Sequence, residues 1–205
     1  MSGDAARTDV IRPLILPVVA ALLVLPVALQ PARAETPLLA EVLQNTAVTP
    51  PASVPFREER HSPMLREPLV LTGHFAYLAA GEIRKSIETP FAESYLVADE
   101  RIVIERDCKT RSLSLNRSRL LRSIFTAIEA ILAGRAESLD GLFSHEISGS
   151  SDAWVVQLTP LSRKLARQLE GIRIDGNATA VTSIRIDLGD DEWQRMEILS
   201  EQPGS

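Results

Sequence analysis

The spacing of apolar positions changes character several times along this 205-residue chain. From Leu14 to Leu29 nearly every position is apolar, and Pro17 and Pro26 interrupt the run. It is shorter than the ~20 residues a spanning helix needs. Arg7 and Arg12 precede it, and Ala32-Arg33-Ala34 follows with the small-x-small pattern of a signal-peptidase site. Residues 1–34 are therefore expected to be a cleaved signal peptide, with a retained membrane anchor as the alternative, and Glu35 to open a mature chain that works outside the cytoplasm. No Cys stands at the cut, so a lipid-modified N-terminus is not expected.

Beyond the cut the period becomes helical for one short stretch. Thr36 offers a cap, Pro37 suits a first helical position, and Leu38, Leu39, Val42 and Leu43 share a face, which predicts a helix over Thr36 to Thr46. Thr49-Pro50-Pro51-Ala52-Ser53-Val54-Pro55 then reads as an extended linker.

A series of short segments with period-two or β-branched character follows. Strands are predicted over Phe56 to His61, Leu69 to Leu78, Lys85 to Thr89, Ser94 to Ala98, Arg101 to Arg106 and Ser112 to Leu115. Asp99-Glu100 is placed as a two-residue hairpin turn. Ser118 to Ala133 then carries Leu120, Leu121, Ile124, Phe125, Ile128, Ile131 and Leu132 at helical spacing, and Gly134 ends the pattern. Ala136 to Phe143 is expected to add a turn of helix. Strand character resumes over Ala153 to Thr159, Leu165 to Ile174, Thr179 to Asp187 and Trp193 to Leu199, with Gly176-Asn177 and Gly189-Asp190 as turns. Eight to ten strands with one long helix between two halves is an antiparallel meander, and no βαβ rhythm is present. A single domain over residues 35–205 is expected.

Composition narrows the function. The chain has 22 basic and 27 acidic residues, a formal net charge of −5, and no Lys/Arg-rich block, so nucleic acid is a poor partner. Cys108 is the one cysteine, which excludes an internal disulfide. It sits in Arg106-Asp107-Cys108-Lys109 with no second Cys or His beside it in sequence to activate it, and is expected to be a free thiol in a loop or at a strand end.

Candidate catalytic chemistry is sparse. His61, His74 and His145 lie far apart and lack the i, i+4 spacing of a helical metal site, so no metal and no cofactor are expected. There is no nucleophile elbow and no phosphate-cradling glycine loop. Asp190-Asp191-Glu192 and Glu58-Glu59 read as acidic loops without the alternating oxygen ligands of a calcium site. A non-enzyme is the expectation.

The helix over Ser118 to Ala133 has an apolar stripe broad for a helix lying on a surface. It reads either as a plain core helix or as one that lines an apolar cavity in a curved sheet, and periodicity does not separate the two. The side chains expected to face such a cavity are Phe75 and Tyr77, which share one sheet face, Ile102 and Ile104, which do the same, and Leu121, Phe125 and Ile128 on the helix. For each of them ordinary core is the alternative, and Trp154 and Trp193 are expected in the core or on the rim.

Several of these segments are similar to one known family. Gly73-His74-Phe75-Ala76-Tyr77-Leu78, continuing through Ala79-Ala80-Gly81-Glu82-Ile83 to Thr89-Pro90, resembles the Gly-x-Leu-x-(aromatic or apolar)…Pro signature of the LolA-like periplasmic carriers of outer-membrane lipoproteins. Phe56-Arg57-Glu58-Glu59-Arg60 is similar to the strand before it, Ala98-Asp99-Glu100-Arg101-Ile102 to the family's hairpin, and Trp154-Val155-Val156-Gln157-Leu158-Thr159-Pro160 to a later strand. The resemblance spans Thr36 to Leu199 and points to a divergent branch associated with export of lipid-linked aryl polyene pigments. It implies a mainly β fold, a half-open antiparallel β-barrel with an inserted lid or plug helix and a short N-terminal helix. It also implies a monomeric carrier of an acyl lipid or lipidated cargo between an inner-membrane donor complex and an outer-membrane acceptor. One departure stands out. The family's lid-latching Arg is matched here by Ala79 and Ala80, so that latch is not carried over. A regulatory or sensory binding protein of the envelope with the same fold is the alternative function, and an acyl hydrolase or transferase is a third that lacks a nucleophile pattern.

Overall fold

A computed structural model of the protein describes residues 38–200. The segment expected to be cleaved, and Thr36 and Pro37 of the first helix, lie outside the described residues. The first helix, α1, runs over Leu39–Asn45 and buries Leu39, Val42 and Leu43. Thr46 follows it, and its hydroxyl donates to the Val42 carbonyl at 3.0 Å.

Eleven strands follow in two runs. The first contains β1 (Ala52–His61), β2 (Leu69–Ala79), β3 (Glu82–Thr89), β4 (Glu93–Ala98), β5 (Arg101–Arg106) and β6 (Lys109–Ser114). After a 3-10 turn at Leu115–Arg117 comes the long helix α2 (Arg119–Ala133), then a second 3-10 turn at Ala136–Leu139. The second run contains β7 (Phe143–Ser150), β8 (Ala153–Pro160), a single helical turn α3 (Arg163–Ala166), β9 (Leu169–Asn177), β10 (Val181–Leu188) and β11 (Trp193–Ile198).

All the strands form one sheet in the order β6-β5-β4-β3-β2-β1-β11-β10-β9-β8-β7, and every neighbouring pair is antiparallel. The sheet is curved and unclosed, a half-barrel. Each run is a meander of hairpins, and β1 pairs with β11 to join them, Phe56 opposite Ile198 and His61 opposite Trp193. The edges are β6 and β7, and α2 lies between them in the chain.

Local chemistry accounts for the turns. Asp99 and Glu100 have φ of 50° and 57°, and Asp107 and Cys108 have φ of 51° and 59°. Two successive residues in the left-handed region make the hairpin turn whose twist matches that of the strands it joins. Cys108 is a free, exposed thiol in the second of these turns. At α2 the Ser118 hydroxyl accepts from the Leu121 N–H at 3.2 Å, and Gly134, at φ 68°, closes the helix. A Cβ on Gly134 would stand 2.9 Å from the Ala47 Cβ, so this end of α2 packs directly on the chain leaving α1.

The structure corrects four features of the sequence reading. Residues 52–55 belong to β1 rather than to a linker, since Ala52 to Pro55 pair with Tyr77 to His74. Leu165 lies in α3 and not in a strand, and β9 starts at Leu169. The turn between β9 and β10 is formed by residues 178–180, with Gly176 and Asn177 still in the strand. The expected helical extension stops at Leu139, and Phe143 opens β7, a strand the sequence pattern does not reveal. It is an edge strand on which only Phe143 is fully buried, so it lacks the alternation that marks a half-buried strand.

The core lies on the concave face. Phe56, Leu71, Tyr77, Ile83, Ile87, Leu158, Ile172 and Ile174 from the strands join Leu43 of α1 and Ala127 and Ile131 of α2 in one buried cluster. Trp154 is 2% exposed, and its indole N–H donates to the Asn177 carbonyl at 2.6 Å. Its ring lies over Gly176, where a Cβ would come within 2.1 Å of it. The opposite face is polar and laced with ion pairs such as Arg173–Asp175 and Arg185–Asp187. Trp193 is half-buried there, stacked on His61 at 5.6 Å with the Arg185 guanidinium 4.4 Å over its ring. His74 pairs with Glu88 at 2.8 Å.

Candidate functional site

The site is built by inward-facing strand positions and one side of α2. Period-two alternation puts Phe75 of β2, Lys85 of β3 and Tyr95 of β4 opposite one another, and Glu58 of β1 opposite Met196 of β11. Ile124 and Ile128, four apart on α2, come down over this surface. The helix does not fill the space completely.

Two adjoining cavities remain. One, of about 190 Å³, is bounded by Glu58, Arg60, Lys85, Tyr95 and Gln194 on the sheet and by Phe75, Ile124 and Ile128 among its apolar walls. The other, of about 170 Å³, is walled almost wholly by apolar groups, including Val48, Val54, Ile131, Leu132, Val181 and Ile198. Phe75, Ile128, Ile184 and Met196 border both.

The first cavity holds a small charge network. The Glu58 side chain is only 2% exposed, and it accepts from Arg60 Nε at 2.5 Å and from Lys85 Nζ. Lys85 also stands 5.0 Å from the centre of the Phe56 ring, a cation–π contact. Burial alone would push the Glu58 carboxyl up, but Lys85 and Arg60 outweigh it and hold the group below the usual carboxylate value. For Lys85, burial pulls the ammonium below the ordinary lysine value, Glu58 opposes the shift, and Arg60 adds to it. Burial would likewise lower Arg60, and the attraction of Glu58 carries it above its ordinary value instead. Tyr95 is raised by burial and by its hydroxyl's hydrogen bond to Glu93, 2.6 Å away.

The seven side chains expected from the sequence to face a cavity are distributed as follows. Phe75 and Ile128 border both cavities. Tyr77 and Ile102 are buried in the sheet's interior and border neither. Ile104 borders a separate polar recess with Glu93, Arg106, Asp107, Lys109 and Arg111. Phe125 is partly buried and packs against the core, and Leu121 is half-buried near the start of α2. Glu58, Arg60, Lys85, Tyr95 and Gln194 were absent from that set. Glu58 reads in the sequence as part of an acidic loop, and the structure puts it at an inward position of β1, while Glu59 beside it points outward. The signal for it was available: Glu58 is two residues from Phe56, so a strand that buries Phe56 also turns Glu58 inward.

Ala79 ends β2, and Ala80 forms the turn with Gly81. The connections that hold α2 lie elsewhere. The Val48 N–H donates to the Leu132 carbonyl at 2.8 Å, Arg135 bonds Glu129, and Arg119 Nη1 donates to Ser162 Oγ at 3.3 Å. Among the described residues no group of three His, Cys, Asp or Glu side chains is placed to hold a metal ion. No described helix is long and apolar enough to cross a membrane.

The family model described as "Outer membrane lipoprotein carrier protein LolA-like" matches residues 32–198. The chain belongs to the LolA-like family. No protein of curated function matches it. Among solved structures, a LolA superfamily protein of Nitrosomonas europaea is 12% identical, with 82% of this chain and 93% of that one covered at a TM-score of 0.40. The Mycobacterium tuberculosis lipoprotein LppX is 9% identical, with 82% and 97% covered at 0.40. The MucA/MucB complex of Pseudomonas aeruginosa is 12% identical, with 81% and 61% covered at 0.40. The LolA-like chain described here thus combines a carrier-like half-barrel with a helix-covered groove that is apolar at one end and charged at the other.

Proposed function

We propose that this LolA-like protein is a soluble periplasmic carrier that takes an acyl lipid or a lipidated molecule between α2 and the concave sheet and moves it from the inner to the outer membrane. The observation that carries the reading is the pair of adjoining cavities under Ile124 and Ile128. Burying a methylene of an acyl chain is worth about 0.8 kcal/mol, in a protein groove as in a bilayer, so exchange between the two is nearly balanced. That balance suits a carrier, and no chemical step is part of the reading.

Volume sets a further requirement. The two adjoining cavities, of about 190 and 170 Å³, together only just reach the lower end of the ~300–1,000 Å³ usual for a ligand pocket. A short chain fits this space, and a longer one enters if α2 lifts away from the sheet. The Arg119–Ser162 bond is exposed and long, and the Val48–Leu132 bond joins α2 to a single strand of backbone, so few polar contacts oppose the movement.

Replacing Ile128 by Trp tests the groove. A larger side chain at the shared wall blocks both cavities, and the residue is only partly buried, which leaves room for the ring's edge. Uptake of a fluorescent acyl probe by the full chain is expected to fall about tenfold or more, with a change of only a few degrees in Tm. Wild-type uptake by Ile128→Trp would show that acyl chains do not use this groove.

A further inference from the structure

We propose that the charged end of the groove is a head-group site: the cargo is an amphiphile with an anionic head, carboxylate or phosphate, that sits against Lys85 and Arg60 while its chain runs past Phe75 and Ile128 into the apolar cavity. The inference rests on the carrier reading and adds the chemistry of the cargo.

Charge arithmetic within the cavity leads to it. Lys85 and Arg60 share one carboxylate, Glu58, so the wall carries one positive charge in excess. Next along the sheet Arg106 meets two carboxylates, Glu93 at 3.9 Å and the exposed Asp107 at 3.5 Å, and none of these three side chains borders the cavity. Of the three N–H groups on Lys85 one goes to Glu58, and Arg60 gives only its Nε to Glu58. Two N–H groups of Lys85 remain for an acceptor of the ligand, and so do the guanidinium N–H groups of Arg60 not engaged by Glu58 or by the Tyr95 hydroxyl beside it. A cation shielded from water is costly unless it is paired. Lys85 is 17% exposed and Arg60 31%, and both face the cavity rather than the outer, ion-paired surface. A hydrocarbon laid against them would strip their remaining water and return nothing, whereas an anionic head restores the balance. The hydrophobic surface needed for a tail begins in the same cavity, since its other walls are Phe75, Ile124, Ile128 and Ile184.

Dodecanoate, dodecyl phosphate and methyl dodecanoate share one chain and differ at the head. Each is titrated against a fluorescent acyl probe bound to the full chain at pH 8 and low salt, with inorganic phosphate as a headgroup without a tail. At least one of the two anionic amphiphiles is expected to bind about tenfold tighter than the ester, and which of the two does so distinguishes a fatty-acid from a phospholipid-like source. Glu58→Gln removes the shared carboxylate charge and should widen the ratio, and Lys85→Gln should narrow it. A merely structural role for the cluster would move all three ligands together. Equal binding of all three amphiphiles would overturn the head-group site while leaving the carrier reading in place. Displacement of dodecanoate by inorganic phosphate at equal concentration would overturn it in favour of a free-anion site. Binding of none of the amphiphiles would remove the carrier reading and this inference with it.

Discussion

Removing the Glu58 carboxylate should be among the most damaging single changes on the concave face. In Glu58→Ala, Lys85 and Arg60 lose the anion they share, in a site where Glu58 itself is 2% exposed. Breaking a buried pair by deleting one partner costs about 3–5 kcal/mol, because the other charge stays out of water. Arg60, at 31% exposure, can extend its guanidinium toward solvent and recover part of this, whereas Lys85 at 17% has less freedom. The lower end, about 3 kcal/mol, is therefore expected. For a chain of this size it corresponds to a Tm lowered by roughly 6–12 °C. The double variant Glu58→Leu/Lys85→Met replaces the pair with packed apolar groups and should return to within about 1 kcal/mol of wild type. Lys85→Met alone leaves Glu58 with Arg60 and should cost about 1–2 kcal/mol. Urea unfolding, followed by the fluorescence of Trp154 and Trp193, gives the stability of wild type and of all three variants. A Glu58→Ala loss below 1 kcal/mol, or a double variant as unstable as Glu58→Ala, would refute the account of this cluster.

Further predictions follow from the same geometry. The Glu58 carboxyl is held below its ordinary value, so the stability it contributes is present above the usual glutamate range near pH 4.3 and is lost as pH falls through its lower folded value. The stability difference between wild type and Glu58→Gln should accordingly be full at pH 6 and shrink below about pH 4; a difference that is constant down to pH 3 would contradict the assignment. Gly176→Ala places a methyl 2.1 Å from the Trp154 ring, so the ring must shift and strain its bond to Asn177. A loss of about 2–4 kcal/mol is expected from overpacking and the weakened hydrogen bond. Gly141→Ala, with open space around it but φ of 74°, should cost only about 1 kcal/mol. Equal losses at the two glycines, by urea unfolding, would show that Trp154 is not locked as described.

Much of the architecture was legible where local chemistry acts alone. The turn at Asp99-Glu100, the bounds of β5 and the Ser118 and Gly134 caps of α2 all follow from patterns within a few residues. What was hidden depends on pairing over long distances. β7 is held by β8 along its whole length, from Phe143 opposite Pro160 to Ser150 opposite Ala153, and its own residues show little alternation. Ala52 to Pro55 look like a linker because Pro50 and Pro51 precede them and Pro55 ends them, yet β2 lies alongside and recruits them. The candidate site was half legible. Phe75 and Ile128 are found by asking which apolar residues share a face, a question that passes over a charged residue by construction. Glu58, Arg60 and Lys85 become a site only when β1 and β3 are brought to the same cavity from opposite sides of β2. The size of the gap beneath α2 depends on how closely Ser123, Ala127, Ala130 and Ile131 approach the sheet, which a helical stripe does not encode.

The central claim is that the groove beneath α2 carries an acyl chain, and the most direct measurement is native mass spectrometry of the protein isolated from the periplasm, with lipid extraction of the same sample. The account predicts a near-stoichiometric acyl-lipid adduct that identifies the cargo class. A bare polypeptide mass, together with no uptake of a fluorescent fatty acid, would contradict it.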